Sequence, residues 1–170
     1  ALTSFKRGSL FRVRTGAGTG TVPDEDPNPA NWTGPTKVLS DLNQPFASQP
    51  SVTVYTKLRR WVMAGSGRLL VNADKETQDQ QAIYGILDPV FSGATVPATT
   101  GDLVNVSSAQ VFNNNTVTGV TLATGSDADG NGSISTQELR NAVVAAGGWR
   151  KNIQTTASKP SERSTNRLSL

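Results

Sequence analysis

The 170-residue sequence contains no cysteine and no histidine. Their absence excludes a disulfide framework, an Fe–S cluster, covalently attached haem, a thiol nucleophile, a histidine-ligated zinc and any Ser-His-Asp triad. Much of hydrolytic and redox enzymology needs those residues, so a non-enzymatic protein is expected. Charged residues are also scarce, at 17% against roughly 25% in an average domain. The net charge is only +3, and aromatic residues make up 6%. The basic side chains are dispersed with few aromatics beside them, which argues against a nucleic-acid surface. No apolar run approaches the roughly 18 residues that a membrane span needs. No signal-peptide pattern opens the sequence, and it starts at Ala1 rather than methionine, as a processed or excised segment of something longer would.

Uncharged polar residues fill the gap. Thr, Ser, Asn and Gln number 20, 16, 12 and 8, and 16 Gly and 9 Pro accompany them. This composition is turn-rich and β-prone, and it fits a secreted protein. The missing cysteine does not decide the compartment. The length suits a single domain that can bury a core without disulfides.

Ser9–Arg14 alternates, with Phe11 and Val13 on one face and Arg12 and Arg14 on the other. A loop rich in Gly, Pro and acids follows over residues 15–29. Its glycines lack the Gly-Lys-Ser/Thr continuation of a phosphate loop. Further strands are expected within Asn31–Leu39, Ser51–Thr56, Arg59–Ala64, from Arg68 to Val71, and over Gln81–Asp88. Four short strands with tight turns between Ser51 and Asp88 form an antiparallel meander of the kind that builds a propeller blade. Residues 92–147 are expected to be an insertion. It has weak strands at Leu103–Val106 and Val117–Leu122, then a helix over 136–146 with Leu139, Ala142, Val143 and Ala146 as its apolar stripe. The last twenty residues are basic and expected to be loop, with a strand-like alternation in Asn166–Leu170. Asp74, Glu76, Asp79 and Asp88 form no catalytic pair and are expected to be solvated loop acids. Trp32, Trp61 and Trp149 are expected to pack between strands. Asn31-Trp32-Thr33, Asn105-Val106-Ser107 and Asn114-Asn115-Thr116 are glycosylation sequons wherever the source carries that machinery.

The sharpest motif is Asp127-Ala128-Asp129-Gly130-Asn131-Gly132-Ser133-Ile134-Ser135-Thr136-Gln137-Glu138. Counted from Asp127, hard-oxygen side chains fall at positions 1, 3 and 5, glycine at 6, an apolar residue at 8 and glutamate at 12. That is the spacing of an EF-hand calcium loop. Calcium takes six to eight oxygens. Asp127, Asp129, Asn131 and Glu138 would supply side chains, Ser133 its carbonyl, and Ser135 a contact through water. Ser135 and Glu138 also read as a capping box for the helix, and the two readings are compatible. No entering helix precedes the loop and no second loop exists to pair with it. A structural Ca2+ of modest affinity in a lone loop–helix unit is therefore expected, rather than a paired sensor.

Several segments, in order, resemble one family: Gly8-Ser9-Leu10-Phe11-Arg12-Val13, Asn31-Trp32-Thr33, Gly65-Ser66-Gly67-Arg68, Tyr84-Gly85-Ile86 within Gln81–Asp88, Gly148-Trp149 and Ser161-Glu162-Arg163. Together they resemble the C-terminal β-propeller of PilY1/PilC-type proteins, the tip-associated adhesins and biogenesis factors of type IV pili. The resemblance implies a mainly β, incomplete propeller segment spanning 1–170, exported to the cell surface and acting in pilus assembly and adhesion. It also implies a calcium loop of Asp-x-Asp-x-Asn type, carried here by Asp127, Asp129 and Asn131. Ser135 replaces that shorter loop's final Asp, so closure falls to Glu138. Arg150-Lys151 and Ser161 also depart from the family pattern. The family is several times longer, so the chain is expected to be excised from a longer protein or completed by other chains, pilin-like subunits among them. The alternative is a secreted, calcium-stabilised scaffolding module, dockerin-like in its loop.

Overall fold

Strands form where side chains alternate without Gly- or Pro-rich interruption. A computed structural model describes residues 8–13, 15, 28–32, 34–42, 44–56, 59–67, 72, 74, 79–89 and 99–153. β1 (Gly8–Arg12) and β2 (Thr36–Leu42) pair antiparallel as a two-stranded sheet. β2 begins later than the strand expected from Asn31. A 3₁₀ turn at Pro29–Asn31 intervenes, and the Asn28 side chain caps it by accepting the Ala30 N–H at 3.0 Å. Proline at the start of the turn and the asparagine cap together hold the chain out of the extended region.

β3 (Ser51–Thr56), β4 (Arg59–Gly65) and β5 (Gln81–Pro89) form an antiparallel meander where alternation predicts it. The strand expected at Arg68–Val71 lies outside the described residues, as do Glu76 and residues 154–170. β10 (Gly148–Ile153) takes the open edge of β5, in register from Gly148 opposite Ile86 to Ile153 opposite Gln81. β6 (Val104–Asn105) runs parallel to β10, giving the order β3-β4-β5-β10-β6. Lys151–Ile153 are thus strand, not the loop expected of the basic C-terminal residues. The segment Gly-Trp-Arg-Lys-Asn-Ile has no apolar alternation, and its conformation is set by β5. Gly85 makes this possible: a Cβ there would overlap the Trp149 indole, which occupies the space a side chain would take.

The core lies between the two sheets. Leu10, Val38 and Leu39 pack with Ala64, Ala82, Tyr84, Ile86 and Leu103. The Tyr84 ring meets Phe46 edge-on at 5.9 Å, and its hydroxyl pairs with Gln44. Fully buried Ser66 closes one end of the β4–β5 ladder, accepting the Ala82 N–H at 2.8 Å and donating to the Ala82 carbonyl at 3.1 Å. In β1 the faces separate as the sequence alternates, but Leu10 and Arg12 turn inward while Phe11 and Val13 are exposed. Arg12 goes in because Asp88 is there: its guanidinium forms an ion pair with the Asp88 carboxylate across the two sheets. Asp88 and Asp74 are buried, which corrects the expectation that they are solvated loop acids; Asp79 is exposed. Trp61 stacks edge-on with Tyr55, whereas Trp32 is exposed rather than packed between strands.

β7 (Gln110–Val111), β8 (Thr116–Thr118) and β9 (Ile134–Ser135) make a separate three-stranded sheet. α1 (Thr136–Ala145) leaves β9 directly and packs against β8, β9 and β10. Among the described residues the architecture is mainly β, with largely antiparallel sheets and one α-helix. The described residues form no closed propeller ring.

Candidate metal site

The loop 127–138 is anchored at its exit, first by β9 and then by α1. β9 holds it because Ile134 and Ser135 pair with Val117 and Thr116 of β8. The hairpin β7–β8 thus fills the place that a second loop would take in a paired site. Asn115, at the hairpin turn with φ 70°, strengthens this join: its carbonyl accepts the Thr136 N–H at 3.0 Å, and its side chain bonds the Thr136 hydroxyl. Sequence reasoning treats Asn115 only as the middle of a sequon. The available signal is the run of three asparagines, the residue type that most readily enters the left-handed region.

α1 follows at once and fixes the same end. Ser135 is its N-cap and Glu138 its N3 residue in a complete capping box: the Ser135 hydroxyl accepts the Glu138 N–H at 3.2 Å, and Glu138 Oε2 accepts the Ser135 N–H at 2.8 Å. The Glu138 carboxylate also reaches back across the loop, where Oε1 accepts the Ala128 N–H at 2.7 Å. One side chain therefore ties the entrance of the loop to its exit. These donated hydrogen bonds, from Ser135 first and Ala128 next, hold the Glu138 carboxyl below its ordinary value of 4.5.

Ahead of β9 the loop turns inward on itself. Asp127 Oδ2 accepts the Gly132 N–H at 2.8 Å, and Gly132 sits at φ +76°, a conformation that favours glycine. Asp129 Oδ1 accepts the Asn131 N–H at 3.2 Å, Asn131 Nδ2 donates to Asp129 Oδ2 at 2.7 Å, and Asn131 Oδ1 accepts the Ser133 N–H at 2.8 Å. The result brings together a carboxylate oxygen from each of Asp127, Asp129 and Glu138, all within 4.8 Å of one another. Ser133 is exposed at the rim, and Ser135 stands at the helix cap.

Two observations bear on whether these residues suit calcium. The donor set is entirely hard oxygen. In addition, Asp127 Oδ1 is buried and has no hydrogen-bond donor. A buried carboxylate oxygen without a partner is costly, and a cation is one group that would satisfy it. The residues fit a divalent hard cation. Upstream, residues 119–126 contain no helix, so the loop has an exiting helix and no entering one.

No protein-family model matches the sequence, and no curated protein does either. Among solved structures, the fold is similar to that of the Pseudomonas aeruginosa PilY1 C-terminal domain, with a TM-score of 0.57 and 17% sequence identity over 95% of this chain. The match covers 37% of that domain. The chain therefore has the fold of part of the PilY1 C-terminal domain, as the order of its short motifs predicts, and spans little more than a third of that domain's length.

Proposed function

We propose that this chain is a non-enzymatic, calcium-binding β-propeller segment of a type IV pilus tip or biogenesis protein, displayed at the cell surface and acting in pilus assembly and adhesion. The observation that carries the reading is the fold likeness to the PilY1 C-terminal domain along nearly the whole chain. The convergent carboxylates of Asp127, Asp129 and Glu138 support the calcium part independently. Asp127, Asp129, Asn131 and Glu138 would hold the ion by side-chain oxygens, with Ser133 through its carbonyl and Ser135 through water. A bound calcium would supply neutralisation of the carboxylate charge of Asp127, Asp129 and Glu138. The sheet edges that no other strand pairs among the described residues are where further chain, or a pilin-like subunit, would continue the β-structure.

Melting the chain in chelator and in millimolar calcium tests the ion. A ligand that binds only the folded state adds about 2.7 kcal/mol at 100 times its Kd, so the melting temperature should rise with calcium. Asp129→Ala and Glu138→Ala should each abolish the rise. An unchanged melting temperature in a cooperatively folded chain would return the loop to a capped turn. The pilus role is tested by deleting the chain in its source cell and counting surface pili and twitching zones. Normal piliation with calcium binding intact would favour the scaffolding alternative, which the self-contained β8–β9 pairing supports.

A further inference from the structure

The loop contains the chain's single Asn-Gly step, Asn131-Gly132. Asn-Gly is the dipeptide most prone to spontaneous deamidation, because no side chain shields the glycine nitrogen. The reaction requires the deprotonated Gly132 nitrogen to attack Asn131 Cγ. A new N–Cγ bond closes a succinimide, the Cγ–Nδ2 bond breaks, and ammonia leaves. Water then opens the ring at either carbonyl, giving aspartate or isoaspartate. Nothing beyond water is consumed.

Both residues are exposed to solvent, so exclusion of water does not protect them. Hydrogen bonds hold both the attacking and the leaving nitrogen. The Gly132 N–H donates to Asp127 Oδ2 at 2.8 Å, and a carboxylate partner opposes loss of that proton. The leaving amide donates to Asp129 Oδ2 at 2.7 Å, and its oxygen accepts the Ser133 N–H at 2.8 Å. The side chain is thus clamped at both ends and cannot swing Cγ onto the Gly132 nitrogen without breaking those bonds.

We propose that Asn131 is a deamidation site held closed by the side chains of Asp127 and Asp129, so that local opening of this loop is recorded as an irreversible covalent change. The product matters to the site. Aspartate replaces a neutral amide with a fourth carboxylate beside Asp127, Asp129 and Glu138, and isoaspartate also lengthens the backbone within the loop. The chemistry requires no metal and does not rest on the calcium reading.

The test uses the full chain in chelator, incubated in mildly alkaline buffer either native or unfolded in urea. Peptide mapping by mass spectrometry follows the single-mass-unit gain at Asn131. Isomerisation at Asp129-Gly130 does not change mass and therefore does not interfere. Because closed loops react only through opening, the native chain should deamidate more slowly than the unfolded one by roughly tenfold or more. Asp127→Ala should remove most of that protection. If that variant does not fold, hydrogen exchange at the Gly132 amide of the wild-type chain decides instead, with protection of roughly tenfold or more expected. Equal native and unfolded rates, an unprotected Gly132 amide, or a folded Asp127→Ala chain that deamidates as slowly as wild type would each overturn the proposal.

Discussion

The five-stranded sheet and the loop–helix unit are held together by different physics. In the sheet, apolar residues from two layers meet, and Leu39, Ala64, Ala82 and Tyr84 are essentially removed from water. In the unit built from β7, β8, β9 and α1, the buried side chains among the described residues are Val117, Val143 and Glu138. That unit compensates with side chain-to-backbone hydrogen bonds concentrated in a dozen residues. Burial of apolar surface is cooperative and tolerant of chemistry, whereas a polar loop depends on each donor finding its acceptor. An ion would therefore matter to the loop and be irrelevant to the sheet.

The largest expected effect is in the sheet. Tyr84→Ala removes a fully buried ring from between Phe46 and the β2 side chains. Aromatic truncations of this kind cost about 3–5 kcal/mol, and denaturant unfolding should show the loss with or without calcium. If calcium changed the penalty, the two regions would not be energetically distinct. Next comes the ion pair between the sheets. Arg12→Met strands the buried Asp88 carboxylate and should cost about 3 kcal/mol, while Arg12→Met with Asp88→Leu should recover most of it. A double variant no better than the single would mean that the pair stabilises the sheet beyond what apolar packing can replace.

The same division explains what could be read in advance. β3, β4 and β5 alternate strongly enough to be placed from sequence alone, and the loop is a local motif whose spacing carries its geometry. β10 could not be placed, because Trp149, Arg150 and Lys151 take their conformation from the pairing with β5 and the space above Gly85. The inward turn of Arg12 was equally hidden, since only the fold brings Asp88 beneath it. The β8–β9 join escaped for a simpler reason: strands of two or three residues have no period to detect.

Acid should separate the two regions with the smallest but most diagnostic effect. Glu138 is held below 4.5 by hydrogen bonds from Ser135 and Ala128. Its stabilisation is present above the unfolded value and is lost as pH falls through the lower folded one. Asp88 behaves oppositely. Burial raises its carboxyl above 3.8 even though Arg12 pulls it down, so the native state keeps a proton that the unfolded chain has released. Its contribution is complete below 3.8 and declines as pH rises through the folded value. Acidification should therefore loosen the loop–helix unit while relieving the sheet. Hydrogen exchange followed as pH falls below 4.5 should show protection factors dropping at Ala128 and Ser135 before any at Ala82 or Ile86. Glu138→Gln should flatten the first response, and Asp88→Asn should abolish the opposing slope in global stability. Simultaneous loosening of both regions would mean that the chain unfolds as one unit, and that the loop draws its stability from the sheet rather than from its own hydrogen bonds.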